Sequence, residues 1–415
     1  MSEGRIARLE DAEVSGKRVL VRVDFNVPMA DGKVSDDTRL KAALPTIQHL
    51  TEKGAKVILL AHFGRPKGKP DPAQSLKPVV KLLSDLLEAP VAFAADCTGR
   101  FAEKAVADLK DGGVLLLENT RFHAGEEAND ATFASELAAL GDLYVNDAFS
   151  AAHRAHASTE GVARLLPAFA GLSLQREIDH VTAALHNPER PLLAIVGGAK
   201  VSTKIDLLTN LVTKVNQLFI GGAMANTFLA AKGVDIGKSL HEPDLLGTAR
   251  EILAAAEKSG CQLILPIDVV VARELKAKAA RRVAGLDEIA RDEMILDCGP
   301  ETIDALADVI SDARTLVWNG PLGAFEMVPF DTGTVEAARF AAEEVRKGGL
   351  VAVAGGGDTV AALNHAGVAG GFTFVSTAGG AFLEWLEGKP LPGIGVLRQK
   401  TVEETGVIPD EAGEA

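Results

Sequence analysis

The chain has 415 residues, too many for one ordinary hydrophobic core, so its length predicts two domains of roughly 170 to 220 residues. Its composition, 47% hydrophobic and 24% charged, is typical of a globular protein with substantial buried cores. The formal net charge of −14 argues against binding to nucleic acid or to an anionic membrane, since both surfaces are negative themselves. We therefore expect small-molecule partners.

The N-terminal residues lack the apolar core of a signal peptide, and no uninterrupted apolar run approaches the length needed to cross a bilayer. These features predict a cytoplasmic protein. Cys97, Cys261 and Cys298 are widely spaced and form no Cys-x-x-Cys pair, so the spacing predicts neither a disulfide framework nor a thiolate metal site. We expect these thiols to be buried and unreactive.

Short apolar runs alternate along the chain with longer segments of helical periodicity. The predicted strands are residues 18–23, 56–61, 114–117 and 142–145 in the first half, then 192–196, 217–220, 262–265, 315–318, 350–354 and 372–375. The predicted helices include residues 36–53, 129–140, 200–212, 243–258 and 333–347. Uniformly apolar strands that alternate with helices indicate parallel sheets covered on both faces. We predict an α/β fold with two doubly wound, Rossmann-like parallel-sheet domains.

The domain boundary is expected near residues 187–191, a breaker-rich turn that follows a helical segment. We interpret residues 1–170 as the N-terminal domain, 171–187 as a connecting helix with a hinge, and 188–392 as the C-terminal domain. Residues 393–415 form the last segment. Its end, from Thr401, is acidic and poor in large apolar residues, a composition typical of disorder.

The predicted strands of the first half end in motifs rich in arginine and histidine. The motifs are Arg22-Val-Asp24-Phe25-Asn26, His62-Phe63-Gly64-Arg65, Arg121-Phe-His123 and His153-Arg154-Ala-His156. Guanidinium groups bind carboxylates and phosphates through paired hydrogen bonds, so a cationic cluster suits a small, multiply charged anion. Ligands of open parallel sheets bind beyond the carboxyl ends of the strands. The first half therefore has features of a site for an acidic metabolite.

The strands of the second half end instead in glycine clusters. They are Gly197-Gly198-Ala-Lys200, Gly221-Gly222, Gly355-Gly356-Gly357-Asp358 and Gly379-Gly380. Glycine at a strand-to-helix turn lets backbone N–H groups approach nucleotide phosphates at a helix N-terminus. Lys200 and Lys204 are expected four residues apart on one helix face, where a bound anion would offset their opposition to the helix dipole. Asp358 is expected to be either a helix N-cap or a ligand of Mg²⁺.

Two common nucleotide fingerprints are missing from the sequence. It contains no Gly-x-x-x-x-Gly-Lys-Ser/Thr loop, and no Gly-x-Gly-x-x-Gly sequence opens a helix after a strand. This argues against a P-loop ATPase and a Rossmann dehydrogenase. If the rims of the two sheets face one another, the acidic metabolite and the nucleotide would meet in a cleft between the domains.

Taken together and in order, from about residue 5 to 395, these motifs resemble the phosphoglycerate kinase family. The resemblance also includes Glu118-Asn-Thr-Arg121, Asn146-Asp147-Ala-Phe149, Lys200-Val-Ser-Thr-Lys204 and Trp318-Asn319-Gly-Pro321 with Phe325-Glu326. It implies reversible phosphoryl transfer between 1,3-bisphosphoglycerate and ADP, giving 3-phosphoglycerate and MgATP. It further implies a monomer that transfers the group directly, in line, after domain closure.

The resemblance assigns roles to particular residues. The catalytic set would be Arg39, Lys200, Gly356 and Gly379. The acidic substrate would be held by Arg22, Asp24, Phe25, Asn26, Arg39, His62, Phe63, Gly64, Arg65, Arg121 and Arg154. The nucleotide would be held by Gly197, Lys200, Lys204, Gly221, Gly222, Asn319, Glu326, Gly356, Gly357, Asp358 and Thr359, with Asp358 also binding Mg²⁺. The segment from Gly393 to Lys400 would return to the N-terminal domain.

One position departs from the family pattern. The family usually has Ser-Thr-Gly-Gly-Gly-Ala near its C-terminus, whereas this chain has Ser376-Thr-Ala378-Gly379-Gly380-Ala. If position 378 requires a positive φ, alanine would be strained there and would alter the hinge or loop.

Two other classes of protein remain as alternatives. One is a non-catalytic protein that binds a nucleotide or acidic metabolite and signals by closing; the presence of Arg39, Lys200, Lys204 and Asp358 argues against it. The other is a kinase for a different carboxylate, such as aspartate or acetate. The basic cluster exceeds what such a substrate needs, because it suits a distal phosphate as well as a reacting carboxylate.

Overall fold

The computed structural model describes residues 5–185 and 188–398. The described residues divide into two compact units: residues 5–177 and 390–398 form the first, and the described residues from Ile178 to Lys389 form the second. Each contains a six-stranded parallel sheet, so the predicted α/β fold with two parallel-sheet domains is confirmed. No helix in these described ranges is long and apolar enough to cross a membrane.

Strands and helices alternate along most of the chain. The strands are β1 (Arg18–Arg22), β2 (Met29–Ala30), β3 (Lys33–Val34), β4 (Lys56–Leu60), β5 (Val91–Ala94), β6 (Val114–Leu117), β7 (Leu143–Asn146), β8 (Ala168–Ala170), β9 (Leu192–Val196), β10 (Gln217–Ile220), β11 (Gln262–Ile264), β12 (Asp268–Ala272), β13 (Arg281–Gly285), β14 (Met294–Cys298), β15 (Thr315–Asn319), β16 (Val351–Gly355) and β17 (Phe374–Ser376). The helices are α1 (Thr38–Glu52), α2 (Val79–Leu87), α3 (Gly99–Asp108), α4 (Ala124–Glu127), α5 (Ala131–Ala138), α6 (Leu172–Leu185), α7 (Ile205–Leu211), α8 (Gly222–Ala231), α9 (Leu246–Ser259), α10 (Pro300–Asp312), α11 (Thr332–Arg346), α12 (Gly357–His365), α13 (Gly379–Leu386) and α14 (Pro392–Gly395).

The sheet of the first unit has the strand order β5-β6-β4-β1-β7-β8. In its centre, Arg22 at the end of β1 is in register with Leu60 of β4 and Asn146 of β7. Because the pairing is parallel, the carboxyl ends of these three strands reach the same rim of the sheet. The residues that follow each strand are therefore brought together there.

The sheet of the second unit has the order β11-β10-β9-β15-β16-β17. Asn319 at the end of β15 is in register with Val196 of β9, and Gly355 of β16 with Ser376 of β17. The predicted glycine clusters thus follow adjacent strand ends. Both central strands, β9 and β15, are buried along their whole length, which explains the uniformly apolar sequence of β9 and the apolar centre of β15.

Several strands were missing from the sequence prediction. The short edge strands β5 and β8 complete the first sheet, and β12, β13 and β14 form a separate antiparallel sheet in the order β13-β12-β14. Val269 and Val271 of β12 are buried with Ala284 and Ile289 in a small core of their own. The expectation of parallel sheets alone was therefore incomplete.

The predicted helix at residues 200–212 was wrong at its start. Val201–Thr203 form a 3₁₀ turn, and α7 begins only at Ile205. The change from the first compact unit to the second lies inside α6, between Glu177 and Ile178.

The C-terminal segment packs on the first unit as far as it is described. Asn146 Nδ2 donates to the Gly393 carbonyl at 2.9 Å, and Ala7 N–H donates to the Leu397 carbonyl at 3.0 Å. Ile6 and Arg398 form an antiparallel bridge. Lys400 and the acidic end of the chain lie outside the described residues.

Candidate active site

Arg22 lies at the end of β1 with only 1% of its surface exposed. Its Nε donates to Ser158 Oγ at 2.8 Å, Nη1 donates to the Val23 carbonyl at 2.5 Å, and Nη2 lies 2.9 Å from His62 Nδ1. These internal bonds leave little of the guanidinium for a ligand. Arg22 therefore anchors the side chains around it.

His62, just beyond β4, is held as a neutral imidazole. Burial, followed by the positive charges of Arg22, Arg121 and Arg154, keeps the pKa of His62 well below its usual range. Since Arg22 Nη2 can only donate, Nδ1 of His62 accepts and the ring proton lies on Nε2. His62 can therefore donate one hydrogen bond to an anion without carrying a charge.

Asp24 and Asn26 organise the loop after β1. Asp24 accepts hydrogen bonds from Ser150 Oγ at 2.5 Å and from the Asn26 N–H at 3.1 Å, and its carboxylate pairs with Arg39 Nη1 at 3.0 Å. Asn26 Oδ1 accepts from the Gly64 N–H at 3.0 Å. The strand ends at Arg22, so Asp24 and Asn26 lie beyond it, although these two residues still alternate with buried neighbours.

Phe25 and Phe63 could contact a polar ligand only through their backbone groups. The Phe25 side chain is fully buried in the core; only its backbone is available to a ligand. The backbone of Phe63 is bound by Asn119, whose Oδ1 accepts from Phe63 N–H at 3.1 Å and whose Nδ2 donates to Phe63 O at 2.7 Å. Asn119 thus fixes the His62-to-Arg65 loop.

Arg121 lies on the short 3₁₀ turn after β6. Its Nη1 donates to the Gly64 carbonyl at 2.7 Å, and its Nε lies 3.0 Å from a carboxylate oxygen of Glu127. Asn119 Oδ1 also accepts from the Arg121 N–H at 3.1 Å. The turn carrying Arg121 is therefore tied to the loop that carries His62 and Gly64.

Arg65 and Arg154 have the least constrained guanidiniums of the cluster. Neither side chain has a hydrogen bond or ion pair within the described ranges, and Arg65 is exposed. Burial, and then the positive charges of Arg22 and Arg65, lower the pKa of Arg154. Mutual repulsion between nearby cations is relieved by a bound anion, so this rim favours a multiply charged one.

Sequence reasoning missed the buried residues that hold the basic cluster in place. Glu126, fully buried, accepts hydrogen bonds from Ser158 N–H at 2.9 Å and Ser158 Oγ at 2.6 Å, and Ser158 in turn accepts from Arg22. His156 Nδ1 lies 3.8 Å from Glu126. Burial, then Arg121 and Arg22, lower the pKa of His156 to about 4. Glu126 follows no strand end, so strand-end reasoning could not select it.

In the second unit, Lys204 ties two strand ends together. Its Nζ donates to the Gly197 carbonyl at 2.6 Å and to the Asn319 carbonyl at 3.0 Å. Burial lowers the pKa of Lys204 to about 8, against the opposing effect of Asp358. An anion nearby would raise this pKa again.

The expectation that Lys200 and Lys204 share one helix face was wrong. Lys200 precedes the 3₁₀ turn Val201–Thr203 in extended conformation, and Lys204 lies between that turn and α7. Lys200 is exposed, and its ammonium has no hydrogen bond or ion pair in the described part of the chain. One lysine is thus structural at the strand ends, whereas the other is free to meet a ligand.

The turn after β16 is shaped by Gly356, which has φ +99° and would place a Cβ 2.7 Å from Asn319 Nδ2. Asn319 Nδ2 donates to the Gly355 carbonyl at 2.8 Å. Thr359 Oγ1 accepts from Gly320 N–H at 2.8 Å and donates to Gly355 O at 2.7 Å. These bonds fix the start of α12.

Asp358 does not cap α12. The N-cap is Gly356, and Asp358 lies in the first turn without a capping bond. Its carboxylate is exposed and makes no hydrogen bond or ion pair with any described residue. The capping alternative is therefore wrong, and the charge remains available to a ligand near the helix N-terminus.

Gly221 is the N-cap of α8, and Gly222 begins that helix with φ +69°. A Cβ on Gly222 would lie 2.6 Å from the Gly198 carbonyl oxygen, so the two glycine clusters approach backbone to backbone. They border a cavity of about 310 Å³. Among its lining residues are Gly198, Gly222, Leu240, Phe325, Glu326 and Asp358. The combination of apolar walls and a few polar groups suits a nucleotide.

Asp297 also lines this cavity and was not predicted. It accepts hydrogen bonds from Gly333 N–H at 2.8 Å and Cys298 N–H at 2.9 Å. Burial raises the pKa of Asp297 to about 7 despite these bonds.

The departure at position 378 causes no backbone strain. Ala378 has φ −87° and is the N-cap of α13, whereas the following Gly379 has φ +30°. The position that needs glycine is therefore occupied by glycine. Alanine at 378 is buried beside the end of β17.

The comparisons with known proteins agree with one another. The family model for phosphoglycerate kinase matches residues 9–389. Phosphoglycerate kinases from Maricaulis maris and Rhizobium meliloti are each 64% identical to this chain, over 392 and 388 residues, covering 94% of it and 97% of the relative.

Solved structures give the same result. The phosphoglycerate kinase of Coxiella burnetii matches with a TM-score of 0.89 at 44% identity, covering 95% of this chain and 99% of that one. The phosphoglycerate kinase of Pyrococcus horikoshii OT3 matches with a TM-score of 0.79 at 34% identity, covering 94% of this chain and 98% of that one. This chain therefore belongs to the phosphoglycerate kinase family.

Proposed function

We propose that this protein is a phosphotransferase that moves a phosphoryl group reversibly between 1,3-bisphosphoglycerate and ADP, giving 3-phosphoglycerate and MgATP. The observation that carries the proposal is the chemical division between its two units. One sheet rim gathers arginines and histidines around a neutral His62, and the other gathers glycine turns around a cavity. The family membership supports the same reaction.

We assign the acidic substrate to the first rim. Arg65 and Arg154, whose guanidiniums have no partner among the described residues, would bind phosphate or carboxylate oxygens, with His62 and Arg121 completing the set. Arg22, which makes three internal hydrogen bonds, would mainly position these groups. Asp24 would hold Arg39 in place and could accept a hydrogen bond from the substrate's hydroxyl group. Asn26, Phe63 and Gly64 would shape the loop.

We assign the nucleotide to the second rim, with its phosphates over the glycine turns and its base and ribose in the cavity beside Glu326. The unpaired, exposed carboxylate of Asp358 at that cavity is a hard oxygen ligand of the kind that Mg²⁺ takes. Asp358 would hold the ion, which neutralises charge on the nucleotide phosphates.

The proposed chemistry needs no general base. The acceptor in the direction that consumes ATP is a carboxylate, which is already deprotonated at neutral pH. The protein's contribution then consists of positioning and of neutralising charge on the equatorial oxygens of the transferring group. Arg39 and Lys200, with the N–H groups of the Gly356 and Gly379 turns, are our candidates for that second task. The proposal includes a monomer that acts in the cytoplasm.

A coupled assay tests the substrate assignment. The purified protein is given ATP and Mg²⁺ with 3-phosphoglycerate, acetate or aspartate, and ADP formation is followed. We expect turnover with 3-phosphoglycerate and none above background with the other two acids, which lack the distal phosphate group. Turnover of acetate or aspartate at a comparable rate, or of none of the three, would overturn the proposal.

A further inference from the structure

Three side chains with metal-binding donors come together at the edge of the first sheet. Asp96 and Cys97 follow the edge strand β5, and His123 follows the 3₁₀ turn after the neighbouring β6. One donor atom from each, a carboxylate oxygen, a thiol sulfur and an imidazole nitrogen, lies within 4.8 Å of the other two. Parallel pairing of β5 with β6 brings the two segments to the same rim.

Two of the three side chains, Asp96 and His123, are already in direct contact. His123 Nε2 lies 2.7 Å from Asp96 Oδ1, and the same oxygen accepts the Cys97 N–H at 2.7 Å. The His123 ring is stacked on Phe133, with a centroid distance of 4.9 Å. Packing on one face therefore restricts the rotation of the imidazole before any ligand arrives.

A large cavity gives access to the three residues. It has a volume of about 740 Å³, and both Asp96 and His123 line it, whereas the Cys97 side chain lies buried behind them. Its lining residues include the carboxylates of Asp71, Asp96 and Glu118 against one lysine, Lys77. The cavity therefore carries a net negative charge, attracts cations, and leaves room for water or another ligand in a fourth position.

We propose that Asp96, Cys97 and His123 bind a transition-metal ion, with Zn²⁺ the best match, and that the fourth position faces the cavity. Nitrogen and sulfur donors select zinc-like metals over the hard Mg²⁺ that the phosphotransfer reaction uses. Bonds of about 2.0–2.3 Å to these atoms require only small side-chain rotations from the present separations. On binding, the Cys97 thiol loses its proton to solvent. His123 Nε2 also gives up to solvent the proton that it donates to Asp96, the remaining ring proton stays on Nδ1, and Nε2 and the Asp96 carboxylate each bind the metal.

Cysteine spacing could not reveal this site. Only one cysteine takes part, and its partners come from two segments that are neighbours in the sheet but 26 residues apart in sequence between Cys97 and His123. His123 is two residues beyond Arg121, so a metal here would also restrain the turn that carries a substrate-binding arginine. Metal binding at this site can nevertheless be measured without the phosphotransfer reaction.

The test is titration of the chelator-treated full-length protein with Co²⁺ in the absence of nucleotide and substrate. We expect one equivalent to give a thiolate-to-cobalt charge-transfer band that Zn²⁺ abolishes, and Zn²⁺ to raise the melting temperature because it binds the folded state. Cys97→Ala and His123→Gln should each remove the band. Cys261→Ala, which removes another buried thiol, should keep it.

His123→Gln keeps the test decisive if Cys97→Ala fails to fold, because His123 is partly exposed and its loss creates no buried cavity. Asp96→Asn, also at a partly exposed position, should weaken Co²⁺ binding at least about tenfold, the scale for a lost metal-binding carboxylate. Absence of a charge-transfer band in the wild-type protein would overturn the proposal. So would a band that persists in both the Cys97 and His123 variants, or one that Cys261→Ala removes.

Discussion

The guanidinium of Arg22 donates to Nδ1 of His62 at 2.9 Å, and both side chains are almost completely buried. The contact fixes the tautomer of a neutral histidine that faces the basic cluster. The arginines also differ in role, because each guanidinium nitrogen of Arg22 makes one internal hydrogen bond, whereas Arg65 is exposed.

This difference predicts opposite phenotypes for two arginine variants. Arg22→Met should lower the free energy of unfolding by about 2–4 kcal/mol, because Ser158 Oγ and His62 Nδ1 would lose their buried donor. Arg65→Met should change it by less than about 0.5 kcal/mol but raise the KM for 3-phosphoglycerate, since an anchoring arginine acts on ground and transition states alike. Urea unfolding and steady-state kinetics measure both. Equal loss of stability in the two variants would contradict the assignment, as would a fall in kcat without a change in KM for Arg65→Met.

A second prediction concerns Asp358, which lies in the first turn of α12 but does not cap it. Asp358→Asn should leave the melting temperature nearly unchanged, because no hydrogen bond or ion pair to a described residue is lost. Activity should fall steeply and require more Mg²⁺, since the proposed ligand has lost its charge. Asp304→Asn, an exposed aspartate on α10, is the matched control. An active Asp358→Asn enzyme with wild-type Mg²⁺ dependence would exclude the metal-binding role.

A third prediction follows from Asp147, beyond the end of β7. Its Oδ1 accepts hydrogen bonds from Ser173 and Leu174 N–H at the start of α6, yet burial raises the pKa of Asp147 to about 7. The folded protein therefore holds a proton that the unfolded chain releases above the ordinary value of about 3.9. The contribution of this proton to the free energy of unfolding is complete below pH 4 and is lost as the pH rises through 7.

Asp147→Asn isolates this effect because asparagine does not titrate. Between pH 4 and pH 8, the unfolding free energy of the wild type should fall by about 2–4 kcal/mol relative to that of Asp147→Asn. Chemical unfolding across this range measures the difference. A wild-type-to-variant difference that does not vary with pH would show that the carboxyl titrates normally in the folded state.

The strand-end chemistry could be predicted from the sequence because parallel pairing determines which residues share a rim. Arg22 ends a strand, His62 and Arg121 follow two others, and the sheet brings the three together. The local geometry at Lys204 could not be predicted, because its ammonium binds carbonyls on two strand ends, Gly197 and Asn319, that are far apart in sequence. That contact depends on tertiary packing.

The remaining errors have similar causes. The sheet of β12, β13 and β14 was missed because β13 is largely exposed and its sequence, Arg-Arg-Val-Ala-Gly, lacks a continuous apolar run. Glu126 and Ser158 were missed because their function is to support Arg22 rather than to face a ligand. The backbone strain considered for Ala378 is absent, because its φ is negative.

A fourth prediction concerns Arg39 and Lys200, proposed to neutralise charge on the same transferring group. Arg39→Ala and Lys200→Ala should each lower kcat on the order of a hundredfold or more, the scale for loss of one positioned electrostatic donor, with smaller changes in KM. The double variant should lose less than the product of the two, because donors acting on one group are not independent. Strictly multiplicative losses would contradict a shared target, and so would wild-type turnover by Lys200→Ala.

We have proposed that the first rim binds the acidic substrate and the second binds the nucleotide. Calorimetric titration of each ligand alone, into Arg154→Met and into Glu326→Ala, tests both assignments. We expect Arg154→Met to weaken 3-phosphoglycerate binding at least about tenfold, the scale for a lost charged hydrogen bond, while ADP affinity stays within about twofold. We expect Glu326→Ala to weaken ADP binding and to leave the affinity for 3-phosphoglycerate within about twofold. A variant that loses affinity for both ligands would contradict these assignments. So would an Arg154→Met protein that loses only ADP binding, or a Glu326→Ala protein that loses only 3-phosphoglycerate binding.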